Sequence, residues 1–434
     1  MLSIMIGQPL IVCAQQPTGT LQPFWNITHG SARSDEGWSV TTDNEGNVYF
    51  TGFDRVKSPI ADVFVIKLAP NGVELWNTTW DGGFDDKPYV ITESNGFVYV
   101  GGAKFLSFSP TATDIFILKL DASNGNLVWS RTWDGSGHGY DEVDGLKVDG
   151  NSIYVSGWAT GDSTQTDIVI LKYNLDGDQV WSKTWGTNGV DEANGQLGFD
   201  DSYIYVVGHY NALPLGLGGD AVLVAFNKAD GAYVWNTTWG GLGLDDAFGM
   251  AMSNNAIYSV GLTTSFGGDK IFLLKYDTKG ILIWNATWGG SKAEVARAVD
   301  INLGGSAIYV AGNTQSYGNG DFDVILLRYN QQGSLTLSKT WGGAALEQAH
   351  GIAVREPFVY IVGETSSFGA GLEDAFLLKV DAEGGNTIPE FGAAAPLLLI
   401  VALTTVCLAG MSLQKKRARI NTTDKGTYRT LIND

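Results

Sequence analysis

An all-β seven-bladed β-propeller of four-stranded blades, closed by its N-terminal strand and followed by one C-terminal transmembrane helix, is the fold the sequence predicts. Three observations predict it. A tryptophan strand recurs at Trp25, Trp76, Trp129, Trp181, Trp235 and Trp284, then as Leu337, at intervals of 49 to 54 residues. A period near fifty marks stacked supersecondary units rather than independent domains. Each unit reads as four short strands joined by turns, with no helical period in it. The last unit stops at "DAFLLKVDAEGG", before any tryptophan strand, while the chain opens with an orphan one, "LQPFWNITHG". The N-terminal strand therefore supplies the missing outer strand of the last blade and removes an open edge.

In chain order, "MLSIMIGQPLIVCAQQ" has an apolar run before Val12-Cys13-Ala14 and predicts a signal peptide over 1–14, without the usual basic start. The propeller occupies 21–385. Within each unit an acid leads into a short first strand ("GWSVTTD", "HGIAVRE"), and a second strand carries Tyr with Gly three residues on, from Tyr49/Gly52 to Tyr360/Gly363. An Asp then opens an apolar third strand ending in a cation, as in "DVFVIKL" and "DVILLRY". Its lack of alternation fits burial on both faces. A Gly-containing turn leads to the tryptophan strand, which lies outermost. After a linker at 386–392, "FGAAAPLLLIVALTTVCLAGMSL" is 23 residues without a charge, enough for a membrane helix over 393–413. The basic "QKKRAR" of the 414–434 tail predicts a cytoplasmic end, with the propeller on the extracellular side.

Composition narrows the partners. The chain carries a net charge of −19, and up to Glu390 it has 44 acids against 21 bases. Such a body repels nucleic acid. The two cysteines, Cys13 and Cys407, sit in the apolar ends, so the large middle has no disulfide, thiolate metal site or thiol nucleophile.

The Asp-opened strand, turn and following Trp in "LKYDTKGILIW" and "LKLDASNGNLVW" resemble the bacterial and archaeal β-propeller repeats called SBBP-type and, more distantly, the quinoprotein propellers. The likeness covers Leu21 to Gly385 and implies the fold rather than an activity. "NTIPEFG" (Asn386 to Gly392) resembles the Pro-Glu-Phe-Gly sorting tails of archaeal surface proteins, which implies handling by a membrane sortase. Here the tail runs on to Asp434, and an ordinary single-pass anchor is the alternative.

Candidate sites follow from recurrence and from its breaks. Acids recur at the mouth of the third strand (Asp62, Asp114, Asp167, Asp220, Asp269, Asp323, Asp374) and before the first strand (Asp35/Glu36, Asp85/Asp86, Asp141/Glu142, Asp191/Glu192, Asp245/Asp246, Glu294, Glu347). Both sets belong to one face of the disc. Either they hold Ca²⁺ or each accepts backbone N–H groups and fixes a turn. Recurrence in every blade favours the turn, so no cofactor is expected and Ca²⁺ is the alternative. Four sequons, at Asn26, Asn77, Asn236 and Asn285, fall on the outermost strand opposite its tryptophans, where a glycan is accessible and blocks edge pairing.

His29, His138, His209 and His350 occupy four different repeat positions without metal-ligand spacing, and no nucleophile elbow or phosphate loop is present. Neither adjacent cysteines nor a ring-centre cluster that would sandwich a quinone is recognisable. The repeat breaks at the apolar loop "GHYNALPLGLGGD" and the lengthened "DGSGHGYDE". These neighbours mark a candidate binding face of Asp141, Glu142, Asp191, Glu192, His209, Tyr210, Asp220, Asp245 and Asp246. The reading is a non-enzymatic binding, adhesion or envelope scaffold, taking an extracellular ligand, envelope protein or polysaccharide. The alternative is an exported carbohydrate-active enzyme or quinoprotein-like dehydrogenase working on the acidic loop face.

Overall fold

Strand residues with apolar side chains on both faces cannot stay exposed, and in the computed structural model they are buried by stacking sheet against sheet around a ring. The structure describes residues 10–13, 16–57, 59–107, 112–161, 165–211, 218–253 and 255–384. The predicted linker, transmembrane helix and tail, the loop stretch 212–217 and most of the predicted leader lie outside them. Among the described residues no helix is long and apolar enough to cross a membrane.

Seven antiparallel sheets appear in the expected order. Blade 1 comprises Glu36–Thr42, Val48–Asp54, Asp62–Leu68 and Glu74–Trp80. Blades 2 to 6 repeat the pattern from the inner strands Asp86–Ser94, Asp141–Asp149, the split pair Asp191–Glu192 and Gly198–Phe199, Asp245–Ser253 and Glu294–Ile301. Blade 7 takes Glu347–Arg355, Phe358–Thr365 and Asp374–Asp381 from the C-terminal side and Trp25–His29 from the N-terminal side. Trp25 pairs with Lys379 and His29 with Ala375, so the ring is latched as the sequence predicts.

The core lies between blades. The repeated Tyr is buried in all seven units. It packs near the first Trp, at 6.0 Å for Tyr49–Trp76 and 6.2 Å for Tyr258–Trp284. The cation ending the third strand lies over the same ring, as with Lys67 and Lys275 at 5.0 and 5.3 Å. The indole N–H then reaches across to the next blade: Trp76 donates to Ala122 O, Trp129 to Leu175 O and Trp284 to Gln331 O, each at 3.1 Å. The first Trp is thus a fastener between blades.

Two features were not expected. The strand Leu10–Cys13, inside the predicted leader, pairs parallel with the outer strand of blade 5, Leu10 opposite Asn285 and Cys13 opposite Trp288. From there the chain crosses blade 6, where Thr18 N donates to Ser338 O and Leu21 N to Thr340 O, both at 2.7 Å, before entering blade 7. Leu21 and Leu337 share one core cluster. Leu337, which stands in place of the seventh Trp, thus packs with the crossing segment.

Candidate functional site

The recurring acids hold the rim on which any site must rest. One acid per blade, Asp35, Asp86, Asp141, Asp191, Asp245, Glu294 and Glu347, has no exposed surface. Each accepts backbone N–H groups from the loop before it: Gly82 on Asp86 at 2.5 Å, Gly135 on Asp141 at 2.5 Å, Gly290 on Glu294 at 2.8 Å. Several also take one from the far side, as Thr160 N on Asp141 at 3.1 Å and Ser316 N on Glu294 at 3.2 Å. Third-strand acids act similarly, Asp323 accepting Asn319 N and Gly320 N at 2.9 and 3.0 Å. The glycine after the second Trp passes between the two sets. A Cβ on Gly240 would collide with the carboxylates of Asp220 and Asp245, so only glycine is tolerated there. In blade 5 the register displaces Asp269 by one, and Lys270 takes its place.

The inner strands carry a second regularity. In six blades the pairing of first and second strands skips one residue: Trp38, Tyr89, Asp144, Phe248, Arg297 and His350. In blade 4 the strand is interrupted across Asn194. A β-bulge re-aims one side chain, and here it aims one per blade at the ring axis. All seven line a single cavity of about 540 Å³, with Trp158, Glu142, Glu192, Asp246, Lys147 and Asp300 among its other walls. The bulges crowd each other closely, and a Cβ on Gly351 would lie 2.9 Å from Trp38 O.

This cavity is chemically lopsided. Blades 3 to 5 contribute Glu142, Asp144, Glu192 and Asp246. Burial and the neighbouring Glu192 push the Glu142 carboxyl up to about 7. Burial likewise lifts Asp246 to about 7, and Asn194 Nδ2 donates to it at 3.2 Å. Asp144 is raised well above its ordinary value by burial and by the other three acids. Opposite stand Arg297, 4.7 Å from the Phe248 ring centre, and Trp38, stacked on His350 at 4.3 Å and edge-on to Tyr89 at 4.7 Å. Asp144 Oδ2, Arg297 Nε and His350 Nε2 are buried without a hydrogen-bond partner among the described residues.

The predicted binding face therefore divides. Glu142, Glu192 and Asp246 face the axial cavity, whereas Asp141, Asp191 and Asp245 are the buried turn acceptors. His209, Tyr210 and Asp220 lie away from the cavity: His209 packs under Gly219, Tyr210 stacks on Trp185 of blade 3 at 5.9 Å, and Asp220 closes on Gly240. Seven bulge residues meet at the ring centre, a cluster that the sequence reading did not single out. The signal was in the sequence, since the third residue after the buried acid is Trp, Tyr, Asp, Asn, Phe, Arg and His in successive blades. Of the sequons, Asn26 and Asn77 are exposed and Asn236 is half-buried. Asn285 is 4% exposed on the strand that Leu10–Cys13 covers.

A ring of seven four-stranded sheets around a polar axial cavity makes this a β-propeller with an axial site. More particularly, the model of the family PQQ_2, described as outer membrane protein assembly factor BamB, matches residues 61–187 and 165–386. The chain belongs to that family. No curated protein matches the sequence. Solved structures similar in fold include the WD40 β-propeller domain of Doa1, at 12% identity and TM-score 0.49, covering 81% of this chain and 95% of that one. The quinohemoprotein alcohol dehydrogenase of Comamonas testosteroni matches at 12% and 0.47, covering 86% and 78%. Drosophila Plexin A in complex with Semaphorin 1b matches at 8% and 0.48, covering 84% and 88%. Likenesses this distant carry nothing about activity.

Proposed function

We propose that this chain is a non-enzymatic binding, adhesion or envelope scaffold module, displayed outside the cell and held by its C-terminal apolar segment, which has the character of a sorting or anchor tail. One observation carries the reading. The carboxylate that recurs before the first strand of every blade is fully buried and engaged by loop backbone, so these acids hold the loops, as their recurrence predicts. The family's description as an assembly factor supports a module that binds rather than converts. Repeats of the SBBP type fit the same role.

The family's repeat type also raises a quinone cofactor. Pyrroloquinoline quinone is a planar tricarboxylate, and the cavity sets Glu142, Asp144, Glu192, Asp246 and Asp300 against Lys147 and Arg297. That excess of acid does not fit the anion. A cationic or polyhydroxyl ligand suits the acidic arc better.

One observation favours a second reading, an acid–base hydrolase or lyase at the axis: Glu142 and Asp246 titrate near neutrality, where a carboxyl can donate a proton. The two readings separate on purified protein offered envelope polysaccharides, and alcohols with pyrroloquinoline quinone. No turnover is expected, and turnover abolished by Glu142→Gln or Asp246→Asn would replace the scaffold with the enzyme.

Intact mass of protein from the native membrane tests the export proposal. Cleavage before Gln15 and glycans at Asn26 and Asn77 are expected. Asn285 follows only if loss of the leader removes the strand that covers it.

A further inference from the structure

We infer that Glu36, His350 and Glu364 form a binding site for one divalent transition-metal ion of the zinc class, clipping the first blade to the seventh at the ring axis. One ligand atom from each lies within 4.8 Å of the other two. Glu36 comes from the inner strand of blade 1, and His350 and Glu364 from the inner and second strands of blade 7. These are the two blades at the seam of the ring.

Glu364 is an exception to the repeat. The residue after the second-strand glycine is Phe53, Ala103, Trp158, His209, Leu262 and Asn313 in the other blades, and an acid only here. It is 8% exposed. A carboxylate so placed calls for a compensating charge. Its nearest basic atom, His350 Nε2, stands 3.8 Å from Oε1, beyond hydrogen-bond length. Arg297 and Lys87 are near enough for their charges to act on Glu364 and Glu36. Neither makes an ion pair with them among the described residues.

The histidine is the independent observation. Its side chain is 8% exposed, and its buried Nε2 has no hydrogen-bond partner while pointing at two carboxylates. A ring nitrogen without a hydrogen-bond partner in that position is suited to act as a metal ligand. Trp38 organises the set: its ring stacks on His350 with 17° between planes, and its Nε1 donates to Glu36 Oε2 at 3.1 Å. Outer partners of this kind orient metal ligands. One nitrogen and two carboxylates suit zinc, cobalt or manganese rather than Ca²⁺, which takes oxygen ligands. Three protein ligands leave a coordination position open.

The test uses the full-length chain, stripped with chelator and titrated with Co²⁺ and Zn²⁺. One ion per chain is expected, with visible Co²⁺ absorption displaced by Zn²⁺, a change in Trp38 fluorescence and a higher melting temperature. His350→Gln and Glu364→Gln should each weaken binding beyond the roughly 10- to 100-fold that loss of an outer partner brings, whereas Glu192→Gln in the acidic arc should leave it unchanged. If His350→Gln fails to fold, Glu364→Gln, of equal volume, carries the test. No uptake by the parent chain, uptake intact in both ligand variants, or uptake lost equally in Glu192→Gln would each overturn the site.

Discussion

At the scale of single residues, the two tryptophans of the outer strand divide their work. The first, as Trp284, is half-buried and donates its N–H to Gln331 O in the next blade. The second, as Trp288, is 1% exposed and sits inside the cluster that joins blades 5 and 6. Trp288→Ala should therefore cost about 3–5 kcal/mol. Trp129→Phe, which keeps most of the ring and loses only the bond to Leu175 O, should cost about 0.5–1.5 kcal/mol. Urea titration of the two variants checks the order, and a Trp129→Phe loss equal to that of Trp288→Ala would contradict the fastener role. These roles are legible in the sequence, because a large apolar residue repeated in nearly every unit is a packing residue. The direction in which Trp38, Arg297 or His350 points is not. Their seven-fold variety is visible in the sequence, but the bulge that turns them to the axis is a pairing irregularity that no local pattern announces.

At the scale of elements, the ring is closed by one strand that arrives from the far end of the chain. Five residues, Trp25–His29, cover the edge of Asp374–Asp381. Deleting residues up to His29 should turn a single cooperative unfolding transition into a broad one at lower denaturant, with self-association through the bared edge. Chemical denaturation and light scattering read both, and a truncated chain that melts like its parent would show that the latch is dispensable. The latch was legible from counting strands. The path that precedes it, across blades 5 and 6, was not, since a short apolar segment reads equally as a leader or as an edge strand. In the fold Leu10–Cys13 pairs with the outer strand of blade 5, and Thr18 and Leu21 bond to Ser338 and Thr340 of blade 6.

At the scale of the whole molecule, a −19 chain has gathered most of its buried acids into two places, the rim and the axis. Burial lifts Asp86, Glu142 and Asp246 to about 7 and Asp141 to about 6, against about 4 in an unfolded chain. Between those values the native state holds more protons than the unfolded one, so stability falls as pH rises. In the presence of chelator, the melting temperature should thus be higher at pH 5.5 than at pH 8. Glu142→Gln combined with Asp246→Asn should flatten that slope. A melting temperature that rises steadily across the interval would mean that these carboxyls stay ionised in the fold.

Repetition let the sequence alone determine the blade count, the strand order, the closure and the packing role of Tyr and Trp. Each follows from a period and from the need to bury both faces of every sheet. The tertiary structure alone decided which acids are spent on turns and which meet at the axis. The adjacent residues Asp245 and Asp246 look equivalent in the sequence. Successive strand residues point to opposite sides, and so one is locked among loop amides while the other faces the cavity. A ring also brings together residues more than three hundred positions apart, such as Glu36 and His350, and their meeting is set by closure rather than by any spacing along the chain.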